Sequence, residues 1–144
     1  MSSTSELSSD AQNVNWLLSS FVTKTRGVQG AIGVSSDGLL MALSANMTRS
    51  TADRFAAIVS GLTSLSDGAS RALDMGGLEQ VIVEMRRGYL FVSQISGGSS
   101  LGVIAARDAD IGAVGYEMTL LVQRFGAALT PSLIAELQGT LSVV

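Results

Sequence analysis

The side chains available for chemistry in this sequence are carboxylates, hydroxyls, arginines and a single lysine, Lys24. The lack of histidine and cysteine removes thiol nucleophiles, disulfides, histidine-dependent triads and nearly every zinc, copper or haem site. Carboxylate pairs are the remaining route to acid–base catalysis. Asp108 and Asp110 read as competing caps for one helix, and Glu79 and Glu84 lie along one strand, so neither pair converges on a reacting atom. No catalytic residue, metal ligand or cofactor-binding residue is assigned, and the chain reads as a contact-making domain rather than an enzyme. Lys24 ends a predicted helix and complements its dipole, unlike a Schiff-base lysine, which needs a desolvated pocket. The glycine-rich run from Ser96 to Gly102 leads into a strand, whereas a phosphate-binding loop must open onto a helix. Arg86 and Arg87 sit at a predicted hairpin tip, either as a solvated turn or as arginines reaching into a partner's nucleotide site. Arg49 and Arg54, near the start of the second predicted helix, are open to the same two readings.

Composition narrows the class further. The 144 residues suit one domain with a real core. A net charge of −3 and a pI near 4.7 leave no positive excess for a phosphate backbone, so no nucleic-acid partner is expected. Charged residues are 15%, against about 25% in ordinary soluble domains, which fits a chain with part of its surface covered by another protein. The opening MSSTSELSSD is too polar to bury surface and has no basic-then-apolar signal pattern. Residues 1–10 are therefore expected as a disordered tail, residues 11–139 as one domain and 140–144 as a C-terminal tail. The protein is expected in the cytoplasm without membrane insertion.

The elements that must position these residues follow from periodicity. Asp10 is placed to cap a first helix with Val14, Leu17, Leu18 and Phe21 on one stripe, widened by Trp16 and Val22. Two strands, from Val28 to Ser35 and from Leu39 to Ser44, meet at a turn where Gly38 follows Asp37. A second helix is predicted from Ser50 by the Ser50-x-x-Asp53 box, with the stripe Phe55, Ile58, Val59, Leu62, Leu65 and Ala69. Its other positions are small. Gly61 and Gly68 cost about 1 kcal/mol each relative to alanine inside a helix, so a close backbone approach is expected, either from another subunit or from the helix's own sheet. Two strands flank Arg86-Arg87-Gly88. In the first, Val81, Val83 and Met85 alternate with Gln80, Ile82 and Glu84. A third strand from Ser100 to Ala106 completes a meander. The stripe Ile111, Val114, Met118, Leu121, Val122, Phe125 and Leu129 predicts a third helix, and Thr130-Pro131 starts another. Met41, Met47, Met75, Met85 and Met118 read as core filler. The fold class is α+β, one domain on a five-stranded antiparallel sheet.

The SSDGLL hairpin, the small-residue helix DRFAAIVSGLTSLSDGASRAL, the EMRRGYLFV turn and the YEMTLLV helix occur in an order and spacing that resembles bacterial roadblock (dynein light chain type) proteins, particularly actinobacterial ones. The resemblance runs from about Asn13 to Glu136. It implies a profilin/roadblock-like sheet with a long helix on one face and the terminal helices on the other. It further implies a homodimer and a Ras-like small GTPase partner, whose hydrolysis the protein stimulates or which it holds in a complex. A sensor-kinase-like protein and membrane association through partners belong to the same expectation. By position, Ala57, Ile58, Gly61, Leu65 and Gly68 with Gln80, Ile82 and Glu84 match the dimer and GTPase-facing surface, and Arg49, Arg54, Arg86 and Arg87 are the possible GTPase contacts. The alternative is a ligand-sensing module of similar fold with no GTPase partner.

Overall fold

The computed structural model describes residues 8–126 and 128–143. Helix α1 (Ser9–Lys24) is followed by strands β1 (Val28–Val34) and β2 (Leu40–Leu43) and by the long helix α2 (Arg49–Ala72). Strands β3 (Gln80–Met85), β4 (Gly88–Gln94) and β5 (Ser100–Ala106) then lead to helices α3 (Ile111–Gly126) and α4 (Pro131–Val143). The sheet is antiparallel throughout, in the order β2-β1-β5-β4-β3. The predicted fold class is the observed one. Of the expected N-terminal tail, residues 1–7 lie outside the described residues, and Ser8 to Asp10 form the cap and first turn of α1. At the other end α4 carries the chain through residue 143, past the expected domain end at 139.

Both sheet faces are covered, and the central strands β1 and β5 are accordingly buried almost continuously rather than at alternate positions. Phe91, Leu101 and Val103 pack with Leu18, Val114 and Met118 under α1 and α3. On the opposite face Ile32, Val34 and Val92 pack with Phe55, Ala56 and Val59 of α2. Helix α4 reaches both layers: Leu133 and Leu137 join the first cluster and Leu141 packs on the second, so α4 straps the β2 side of the sheet. Its Glu136 accepts hydrogen bonds from the Ser8 amide at 2.7 Å and the Ser8 hydroxyl at 2.8 Å. No single helix among the described residues is long and apolar enough to cross a membrane.

Helix starts differ from expectation by one or two residues. Ser8, not Asp10, caps α1, accepting from the Ala11 amide at 3.1 Å. Thr48, not Ser50, caps α2, accepting from the Thr51 amide at 3.2 Å, and Asp53 pairs with Arg49 instead of closing a box. Of the two competing carboxylates Asp108 and Asp110, Asp110 caps α3 through the Ala113 amide, and Thr130 caps α4 as predicted through the Leu133 amide. Several positions expected in the core are surface: Trp16, Ile111, Met75 and Met85 are all exposed. The apolar stripes are wider than the contact each helix makes with the sheet.

Candidate functional site

The inner face of α2 rests on the sheet through Ala52, Phe55, Ala56 and Val59. It lies close over β5, where a Cβ on Gly102 would stand 2.7 Å from Val59 Cγ2. The outer face carries Ala57, Ile58, Gly61, Leu65 and Gly68. Ile58 is 48% exposed and Leu65 76% exposed. Positions 58, 61, 65 and 68 recur at helical spacing on one side of the helix. A Cβ built on Gly61 or on Gly68 would meet nothing within 4 Å, so packing of α2 on its own sheet does not account for these glycines.

Strand β3 is the outermost strand on the side away from α4, hydrogen-bonded only to β4. An edge strand left uncovered presents unpaired amides and carbonyls to any second strand of matching register. The pairing of Val81 with Val92 and of Ile82 with Phe91 puts Val81, Val83 and Met85 on the α2 side and Gln80, Ile82 and Glu84 on the α3 side. Ile82 and Met85 are exposed. Gln80 donates to the Ser93 hydroxyl at 3.2 Å, and Glu84 is engaged by Arg107, so of the three predicted contact residues of β3 only Ile82 offers an unengaged side chain.

The Arg107–Glu84 pair spans the sheet across Tyr89. The guanidinium donates to Glu84 and to the Tyr89 hydroxyl at 3.1 Å and lies 5.3 Å from the Tyr89 ring centroid. Its pKa is held above the ordinary arginine value, first by the hydrogen bond to Glu84 and then by the neighbouring charges of Tyr89 and Glu84. Sequence reasoning missed this cluster because the three residues come from three different strands or their ends. Other carboxylates are similarly occupied: Asp53 by Arg49, Asp67 by Gln94, Asp110 by the first turn of α3 and Glu136 by Ser8.

The four arginines proposed as partner contacts fall in two places. Arg86 and Arg87 form the two-residue β3–β4 turn and are exposed. Arg49 and Arg54 lie in the first turns of α2. Arg49 is tied to Asp53 at 3.1 Å and to the Leu141 carbonyl at 2.6 Å, which makes it a fastener for α4, whereas Arg54 is exposed.

The arrangement therefore presents an apolar helix face and an open sheet edge, the combination that associates by burial and strand pairing. Comparisons with known proteins identify the family of the domain that carries this surface. The Roadblock/LC7 domain family model matches residues 14–105. A solved Roadblock/LC7 domain from Streptomyces avermitilis is 38% identical, with a TM-score of 0.74, covering 77% of this chain and 92% of that one. A second domain of that kind from the same organism is 33% identical, with a TM-score of 0.65 and coverages of 82% and 99%. The gliding protein MglB from Thermus thermophilus shares the fold at 13% identity, with a TM-score of 0.75 and coverages of 85% and 93%. No curated protein sequence matches. By the family match from the first helix through the last strand of the sheet, and by its kinship with the Streptomyces domains, this chain belongs to the Roadblock/LC7 domain family.

Proposed function

We propose that this roadblock domain works as a homodimeric regulatory or scaffold subunit for a Ras-like small GTPase. The observation that supports this most is the pairing of Gly61 and Gly68, where a Cβ would meet nothing within 4 Å among the described residues, with the exposed Ile58 and Leu65 beside them. A second α2 laid along this stripe would bring backbone to backbone and give the glycines the close contact that offsets their helix cost. The open edge of β3 would extend the sheet into its copy at the same time. A standard interface takes about 800 Å² from each partner, about a tenth of this chain's 8166 Å². Arg54, Arg86 and Arg87 are exposed and available to a GTPase, while Arg49 is held by α4.

Affinity capture from lysate of the source cell, run in parallel with GDP and with a non-hydrolysable GTP analogue, tests the partner. Stronger retention of a Ras-like GTPase with the analogue supports a regulator and supplies the protein for a hydrolysis assay. Equal retention in both supports a scaffold. Absence of any GTPase from both captures overturns the reading.

A further inference from the structure

Helices α1 and α3 lie side by side on the sheet face opposite α2, and the cleft between them, about 200 Å³, is independent of the surface described above. Its floor is apolar, with Phe21 buried and Leu120 half-buried. Its rim holds Trp16, 58% exposed, with Lys24 and Arg124, the basic residues of the last turns of the two helices. Lys24 Nζ lies 5.6 Å from the Trp16 ring centroid, and neither cation has an ion-pair partner among the described residues. Glu117 is the one carboxylate on the lining. The cleft is therefore net positive in a chain whose formal charge is −3. Dipole complementarity accounts for a cation at each helix end but not for an exposed tryptophan on the same rim. Tryptophan and arginine around a small apolar depression are the residues that dominate binding energy at protein interfaces.

We propose that this cleft is a second docking surface, taking a short acidic segment of a partner protein that carries an apolar anchor. The anchor enters over Phe21 and Leu120 beside Trp16, and the segment's carboxylates pair with Lys24 and Arg124, drawing Lys24 off the ring. Because the cleft and the α2 face lie on opposite sides of the sheet, both can be occupied at once.

Panning of the full chain with a phage-displayed random peptide library tests this, with synthetic copies of enriched peptides titrated against the emission of Trp16, the sole tryptophan. Enriched sequences are expected to be net acidic with an aromatic or leucine residue. Their binding is expected to shift Trp16 emission, to weaken with salt and to fall about tenfold or more in Lys24→Glu/Arg124→Glu. In Trp16→Ala, whose truncated side chain is mostly exposed, binding followed through a label on the peptide is expected to be lost, and in Gly61→Leu it is expected to be unchanged. Neutral or basic enriched sequences, no enrichment, or binding indifferent to both Trp16→Ala and the charge reversal overturns the proposal. So does a loss of self-association in Trp16→Ala, which would make the cleft an interface between copies.

Discussion

Gly102 of β5 lies directly under Val59 of α2: a Cβ on Gly102 would stand 2.7 Å from Val59 Cγ2, and Val59 is fully buried. The long helix is thus seated against bare backbone. Gly102→Ala is expected to destabilise the domain by about 1–3 kcal/mol, the usual cost of overpacking against a stiff, β-branched neighbour. Urea unfolding measures it. The double variant Gly102→Ala/Val59→Ala should cost less than the sum of the two single changes, because each relieves the other.

Gly68→Ala is expected to act in the opposite direction on the isolated fold. Its Cβ meets nothing within 4 Å, so the gain is helix propensity alone, about 1 kcal/mol, measured by the urea midpoint at concentrations where the protein is monomeric.

Gly61→Leu separates fold from assembly. The helix gains propensity while bulk is added to the stripe between Ile58 and Leu65, so the variant should stay folded by circular dichroism and sediment as a monomer. An unchanged sedimentation coefficient would remove Gly61 from the proposed interface.

Gly27 joins α1 to β1 at φ +88°, and a Cβ there would stand 2.6 Å from Ala109 Cβ. Backbone strain and clash act together, so Gly27→Ala is expected to cost about 2 kcal/mol or more. Thermal unfolding reads this as a clear fall in Tm.

Glu136→Ala tests the α4 strap. It removes the acceptor of two hydrogen bonds from Ser8 and is expected to cost about 1 kcal/mol, with faster amide exchange along α4 and in the first turn of α1. Unchanged exchange in α4 would show that Leu133 and Leu137 hold it without this clasp.

Element order, the bounds of β1, β2 and β5 to within a residue, the Gly38 turn and the Thr130 cap were legible because each rests on local periodicity or on one side chain reaching its own helix, whereas the choice between Asp108 and Asp110 as the cap of α3 was not. The caps of α1 and α2 were misplaced because several hydroxyls and carboxylates compete within two or three residues, and backbone direction chooses among them. Gly88 reads as a turn glycine, yet it begins β4, where a Cβ would stand 2.6 Å from the Ala105 carbonyl oxygen. That reason lies on a strand distant in sequence.

By itself the sequence determined the class of the protein: an α+β domain without histidine or cysteine chemistry, low in charge, with a small-residue helix and the motif order of the roadblock family. Only the tertiary structure decided which surface those residues make. The pairing of β1 with β5 leaves β3 at the free edge, and α4 straps the other side. The sheet covers only one side of α2, so Ile58 and Leu65 are left facing outward beside Gly61 and Gly68. Periodicity marks an apolar stripe, but burial depends on what arrives from elsewhere in the chain. No local pattern encodes the 2.7 Å approach at Gly102 or the open space at Gly61.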